Sequence, residues 1–350
     1  MGKINVCVIF GGKSSEHEVS LITARNVINN LNKDKYQIYP LGITKSGQWL
    51  LHEGGVTHLE TGEWERGGVK AIISPDIDDK CLIKFKGVRY EKIKIDVAYL
   101  AVHGENVEDG ALQGLLEISG IPYTGSGVLS SALCMDKDMS RLILRENGIP
   151  VVKWIRFCAH ELDDIESVIA RVKEKFDFPV FVKPSSAGSS IGVSRAGDEA
   201  SLASALKNAA AYGDKILVEE NIDAREIECG VIGNEAPVIA MLGEPITQNE
   251  FYTYDAKYKP GQSTTSIPAD IGGDASEAIR EYAEKAYLLL GCRGLCRIDF
   301  FLDKNSGKIY LNELNTLPGC TDSSAFPLLW QKSGVSFSEL LDRIISYAMM

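Results

Sequence analysis

Residues 296–321, CRIDFFLDKNSGKIYLNELNTLPGCT, bring an arginine, the oxygen donors Asp299, Glu313 and Asn315 and a glycine turn into one short stretch. Cys296 to Leu302 alternates as a strand does, placing Arg297 and Asp299 on one face and Ile298 and Phe300 on the other. Asp303, Lys304, Asn305, Ser306 and Gly307 are turn formers. Lys308 to Leu314 then reads as the returning strand of a hairpin, with Ile309, Leu311 and Leu314 toward the core and Glu313 and Asn315 projecting together. Hard oxygen donors on neighbouring strands suit Mg²⁺, which takes the rest of its shell from a substrate's phosphates. On a solvated edge hairpin the same residues would be inert, the ordinary fate of isolated Asp, Glu and Asn. The run Asn315-Thr316-Leu317-Pro318-Gly319 favours the functional reading, because the strand breaks into a glycine turn whose N–H groups can face an anion. A metal, an arginine and exposed amides together describe phosphoryl or acyl-phosphate chemistry.

Other stretches must position this hairpin against a substrate. Ile4 to Phe10 is a continuous apolar run ending at Gly11-Gly12, which predicts a buried parallel strand feeding a ligand-facing turn. GGKS there is not a P-loop, since Cys7 stands where that motif requires glycine. A helix is expected from Val19 to Leu31, and Glu18 before it is either a first-turn acid or a crevice carboxylate that holds a substrate ammonium. Strands are predicted at 36–43, 49–51 and 95–102 and a helix at 111–119, while 54–91 carries no clear pattern. Gly125-Ser126-Gly127 resembles the start of a dinucleotide fingerprint but has Ser130 at its third glycine position. Lys137 sits in ALCMDKDMSRLILRENGIPV, a helix closing at Gly148-Ile149-Pro150, where a solvated charge is its ordinary role. Phe178 to Lys183 is a strand delivering a lysine into Ser185-Ser186-Ala187-Gly188-Ser189-Ser190, small residues that let backbone and hydroxyls approach a polyphosphate. Ile216 to Glu220 is a strand ending in acids, suited to an adenine and ribose edge. Residues 242–268 lack a core pattern and carry Tyr252, Tyr254 and Tyr258, which reads as a lid. Helices are expected at 275–290 and 337–348.

At 350 residues the chain is long enough for two or three domains. The expected fold class is α/β, with an open parallel-sheet unit over 1–133. A net charge of −11 argues against a nucleic-acid partner. No apolar run approaches the roughly 20 residues a membrane span needs, and the N-terminus has no signal-peptide pattern, so the cytoplasm is the expected compartment. The 8 cysteines are scattered without paired spacing, as buried free thiols are.

GGKSSEHEVS, HGENVEDGALQGLLEISGIPYTGSG, CMDKDMS, VKPSSAGSSIGVS, FYTYDAKY, CRIDFFLD and NELNTLPG occur in the order found in the D-alanine:D-alanine ligase family of the ATP-grasp superfamily, which the chain resembles over nearly its whole length. The resemblance implies a substrate-binding unit over 1–133, then a two-lobed ATP-grasp fold with a central lobe at 134–226 and a C-terminal lobe at 227–350. It implies ligation of two D-alanines through an acyl phosphate, for peptidoglycan precursors, with ATP and with Mg²⁺ that Mn²⁺ can replace. Lys137 and Lys183 would contact phosphates, with Ser186 and Ser190 covering them, and Glu219 and Glu226 would lie near adenine and ribose. Asp299, Glu313 and Asn315 match the family's metal ligands. Glu18 matches the acid for the first D-alanine's ammonium, steadied by Ser189 and Tyr258, and Lys257 would reach the transferred phosphate. Arg297 and Gly319 match the oxyanion donors, and Ser324 the group that holds the second carboxylate. A homodimer is implied as well. Two departures bear on the site. Val107 replaces a common glycine and puts His103's substrate contact in question, and Asp322 places a negative charge beside the second carboxylate pocket. A second substrate such as D-serine or D-lactate therefore stays open, as does a catalytically silent nucleotide-binding paralogue.

Overall fold

The computed structural model describes residues 2–188, 191–247 and 263–350. Seven strands, β1 (Ile4–Gly11), β2 (Tyr36–Ile43), β3 (Trp49–Leu51), β4 (Val69–Ile73), β5 (Cys81–Lys86), β6 (Arg89–Lys94) and β7 (Val97–Val102), form a sheet of order β6-β5-β4-β3-β2-β1-β7. Between the strands of this sheet the parallel pairs are those of β1, with β2 and with β7. The helix His17–Asn30 supplies the crossover that a parallel β1–β2 pair requires. From β2 onward the pairs are antiparallel, so the expected parallel sheet is extended by a meander through the stretch that carried no pattern. Strand β6, RYEKIK, is almost wholly exposed, and its charges protect a sheet edge.

The second sheet is antiparallel: β8 (Trp154–Cys158), β9 (Val180–Pro184), β10 (Ser194–Ala196) and β11 (Lys215–Glu220) lie in the order β10-β9-β11-β8. Helices Ile165–Lys175 and Glu199–Ala210 cover it and give it a core of its own around Phe157, Val182, Leu206 and Val218. The third sheet begins with β12 (Ala224–Gly233) and β13 (Val238–Ile239). The chain then forms the strand pair β14 (Glu244–Thr247) and β15 (Ser263–Ser266), and returns as β16 (Gly294–Asp303) and β17 (Ile309–Asn315). The order is β13-β12-β16-β17. Helix Gly273–Leu289 buries Ile279, Ala283 and Tyr287 against it. The last helix, Phe337–Ala348, buries Phe337, Leu340, Leu341, Ile344 and Ile345 in the same core as β1 and β7, so the end of the chain closes on the first sheet.

The β16–β17 hairpin carries an irregularity that simple alternation misses. Asp299 pairs with Glu313, but the next residue, Phe300, pairs with Leu311, leaving Asn312 as an extra residue. Strict alternation would put Leu311 and Glu313 on one face. The bulge resets the parity, so Leu311 and Leu314 are both buried while Glu313 and Asn315 stand opposite Asp299 and Arg297. All eight cysteines are free, seven of them buried.

Candidate active site

A cleft lies where three parts of the chain meet. The first sheet contributes Glu16, His103 and Glu108, and the segment around Lys137 and Gly188 contributes a second wall. The third wall is Arg297, Glu313 and residues 314–319, with Ser323 and Ser324 beyond. Glu16 is the residue that enters the helix His17–Asn30, where β1 has just ended, and it is buried. A Cβ on Gly104 would come within 2.9 Å of its Oε2, and one on Gly188 within 3.1 Å, so both glycines admit the carboxylate by having no side chain. Glu18, two residues later, turns outward. It is exposed and paired with Lys45, which holds its carboxyl below the usual range. The acid facing the cleft is therefore Glu16, and the assignment of that role to Glu18 is corrected. One residue enters the helix beside the strand end and the other falls on the helix's outer face, a difference of about 200° that SSEHE does not reveal.

Glu108 accepts hydrogen bonds from the Gly104 N–H at 3.0 Å and the Leu317 N–H at 3.4 Å. Burial and then the nearby Glu16 push its carboxyl up to about 8. His103 is fixed by the Leu317 carbonyl, which accepts from Nδ1 at 3.1 Å, leaving Nε2 to accept from Thr23 Oγ1 at 3.2 Å. Burial lowers its pKa, in keeping with that neutral tautomer. The loop carrying Gly319 is tied to the first sheet a third time by Asn26, whose Nδ2 donates to the Cys320 carbonyl at 2.7 Å. Ser324 Oγ accepts from the Thr321 N–H at 3.0 Å, and a Cβ on Gly319 would lie 3.0 Å from it, so the two residues expected to face the second substrate are neighbours.

On the hairpin face Arg297 forks onto Asp299, with Nε to Oδ1 and Nη2 to Oδ2 both 2.8 Å, and reaches Glu228 Oε1 at 3.5 Å. Burial alone would lower the guanidinium's pKa, and the Asp299 and Glu228 charges raise it well above its ordinary value. Asn315 Nδ2 donates to Asp299 Oδ2 at 3.0 Å. Lys137 lies 3.2 Å from Glu313 Oε2 and donates to the Ala187 carbonyl at 3.0 Å, so it joins the loop after β9 to the hairpin. The helix it opens, Lys137–Glu146, is capped by Asp136, which accepts from Asp138 N at 3.1 Å. Lys183 pairs with Glu219 Oε2 at 2.8 Å.

Of the residues singled out in the sequence, Lys137, Arg297, Glu313, Asn315, Gly319 and Ser324 line one cleft, with Asp299 directly behind Arg297. Lys183 and Glu219 pair at its side, Ser186 is exposed on the loop after β9, and Glu226 is half-buried on β12. Ser189, Ser190, Lys257 and Tyr258 lie outside the described residues, as does most of the 242–268 segment. Glu108, Glu228 and Arg141 were not anticipated. The first could have been found as an acid in the turn that follows a buried strand, but Arg141 has no signal beyond an amphipathic helix.

A family model described as the D-ala D-ala ligase N-terminus matches residues 5–126, and one described as its C-terminus matches residues 143–346. The chain belongs to the D-alanine–D-alanine ligase family. The D-alanine–D-alanine ligase of Thermoanaerobacter sp. (strain X514) is 47% identical over 350 residues, covering 100% of this chain and 97% of that one. The D-alanine–D-alanine ligase B of Clostridium tetani is 41% identical, covering 100% and 94%. Among solved structures, the VanG D-Ala:D-Ser ligase from Enterococcus faecalis superposes with a TM-score of 0.88 at 35% identity, over 99% of this chain and 100% of that one. The Coxiella burnetii D-alanine-D-alanine ligase gives 0.85 at 33% identity, over 99% and 95%. The ATP-grasp architecture and the use of ATP follow from this membership.

Against the family pattern, Val107 is buried beneath the Gly12 turn, its methyl groups 3.6 and 3.8 Å from where a Gly12 Cβ would stand. Its carbonyl accepts from Gln113 Nε2 at 3.1 Å, and His103 is still anchored at both nitrogens. Asp322 is exposed and lies 3.6 Å from Arg25, which pairs with Glu60 at 2.7 Å. Its charge faces the first unit's surface instead of the cleft. Asp299, Glu313 and Asn315 supply two carboxylates and an amide, the hard-oxygen set a nucleotide-bound Mg²⁺ takes. Among the described residues no three His, Cys, Asp or Glu side chains could hold a metal by themselves. No helix among them is long and apolar enough to cross a membrane.

Proposed function

We propose that the protein joins two D-alanines into D-alanyl-D-alanine, for peptidoglycan precursors, with cleavage of ATP to ADP and phosphate. A carboxylate is a poor acyl donor, so the first D-alanine must become an acyl phosphate before an amine can displace phosphate from it. Glu16 receives the first substrate's ammonium, and Lys137 and Lys183 neutralise oxygens of the nucleotide phosphates. Asp299, Glu313 and Asn315 are the residues that would hold Mg²⁺, which when bound draws charge from the transferred phosphoryl group. The second amine's attack creates a tetrahedral oxyanion, which Arg297 and the Gly319 N–H stabilise, a donor of this kind being worth roughly 3–4 kcal/mol. Ser324 holds the second carboxylate.

The observation that carries this reading is convergence. The buried carboxylate of Glu16, the Lys137 ammonium and Arg297 beside the Gly319 turn reach one cleft from three separate parts of the chain, which supports an acid for the ammonium, a lysine for phosphate and an oxyanion donor. Asp322, which motivated a different second substrate, points away from it. The test is phosphate release from ATP and Mg²⁺ with D-alanine alone, then with D-alanine plus D-serine or D-lactate, with products identified by mass. Release with D-alanine alone, giving the dipeptide, is expected. Release only with a mixed pair, or none, would overturn the reading.

A further inference from the structure

Arg141 is completely buried and is not among the residues that line the cleft. It sits one helical turn after Lys137 and reaches two other strands. Nη1 contacts Glu219 Oε1 at 2.5 Å, and the other oxygen of that carboxylate takes Lys183 at 2.8 Å. Burial would push the Glu219 carboxyl up, and the Arg141 and Lys183 charges more than offset this and lower it. On its other side Nη2 donates to Asn312 Oδ1 at 3.1 Å and to the Asn312 carbonyl at 3.3 Å, and Nε reaches that carbonyl at 3.4 Å.

Asn312 is the extra residue of the β16–β17 bulge, and that bulge alone puts Glu313 and Asn315 on the face of Asp299. A bulged residue falls out of the regular ladder, and the part-buried Asn312 carbonyl takes its donor from elsewhere. A planar guanidinium meets a carboxylate with one edge and a carbonyl–amide pair with the other, which a lysine's single ammonium cannot do.

Resting on the functional reading above, we infer that Arg141 is a positioning residue that locks the metal-facing register of β17 to Glu219, the partner of the phosphate-binding Lys183, so that nucleotide and metal are presented to each other by one buried fork. It touches neither substrate nor reacting atoms, and it acts by fixing the bulge.

The test uses the full chain and Mn²⁺ as the probe, with free Mn²⁺ followed by its EPR signal during titration in the presence of ADP. ADP binding without metal and thermal stability are measured in parallel. Supporting residues of a metal site typically contribute about 10- to 100-fold in affinity. Arg141→Lys is therefore expected to weaken Mn²⁺ binding to the ADP complex by at least about tenfold, with a smaller loss of metal-free ADP affinity. Asn312→Ala leaves the Arg141–Glu219 pair in place and removes one acceptor, so it should fold even if Arg141→Lys does not and should weaken Mn²⁺ binding severalfold. A folded Arg141→Lys whose Mn²⁺ affinity stays within twofold of wild type overturns the inference, as does an unchanged affinity in Asn312→Ala. If the wild-type protein binds no Mn²⁺ with ADP, the reading of the site falls, and this inference with it.

Discussion

Replacing Arg297, the proposed oxyanion donor, separates the charge of that side chain from its shape. Its side chain is 16% exposed, and its Nε and Nη2 groups each donate to Asp299 at 2.8 Å, with Glu228 Oε1 3.5 Å from the same Nε. Arg297→Met leaves two carboxylates in a buried setting without the cation between them, and breaking such a pair costs about 3–5 kcal/mol. For a chain of 350 residues, whose unfolding entropy grows with length, that corresponds to a fall in Tm of about 4–7 °C. Arg297→Lys keeps the charge but serves one oxygen where the fork served two, so its stability loss should be only about 1–3 kcal/mol. Activity should not follow the same order. Oxyanion stabilisation depends on where the donor points, so both variants should lose about 10²- to 10³-fold in kcat while still binding ATP. The assays are ADP release with saturating D-alanine, nucleotide binding by calorimetry and a thermal melt. Mg²⁺ with ADP should restore more Tm to the Met variant than to wild type, since Asp299 has lost its other cation. A Met variant that melts low yet keeps kcat within tenfold of wild type would refute the reasoning, because Arg297 would then be holding carboxylates and nothing more.

Three further outcomes are expected. Glu16→Gln removes a charge-assisted contact worth about 1.5–3 kcal/mol and should raise the KM of the first D-alanine about 10- to 100-fold, while Glu18→Gln should leave both KM values unchanged in the same steady-state assay. Glu108, with its carboxyl raised to about 8, binds a proton in the folded protein that the unfolded chain has released. Its contribution to stability is thus complete below the ordinary carboxyl range and is lost as pH rises through about 8, and thermal melts from pH 5 to 9 should show that decline in wild type and lose it in Glu108→Gln. Ionisation beside Glu16 over the same range should lower the first D-alanine's KM, an effect that initial rates will show only while Glu108 is present. Asn26→Ala strips the Cys320 carbonyl of its 2.7 Å donor, which costs about 1–3 kcal/mol. It should raise the second D-alanine's KM and lower kcat by about tenfold or more through a loosened Gly319–Ser324 loop, with the first site's KM unaffected.

What the sequence made legible follows from how local each signal is. Strands β2 and β3 and the helix Phe337–Ala348 could be bounded to the residue, since apolar periodicity and flanking turn formers are written into neighbouring positions. The meander β4–β6 could not, because exposed edge strands such as RYEKIK are held by backbone pairing and carry no apolar alternation. The hairpin's chemistry was readable and its geometry was not. Arg297, Asp299, Glu313 and Asn315 announced themselves by type, yet alternation contradicted itself at Leu311, Glu313 and Leu314, and only an inserted Asn312 resolves it.

The same distinction explains Glu16 and Arg141. Choosing between Glu16 and Glu18 needs the angle at which the helix leaves β1, and that angle is set by distant partners. Ser20 Oγ accepts from the Gly11 N–H at 2.7 Å and donates to the Ala101 carbonyl of β7, pinning the helix across two strand ends. Arg141 is less visible still, because its partners are 78 and 171 residues away in sequence. Groups that touch substrate advertise a chemistry and can be listed from their types. Groups that hold them in place are ordinary residues whose importance comes from burial, and a fully buried arginine between a carboxylate and a bulge is recognised only once the strands around it have been paired.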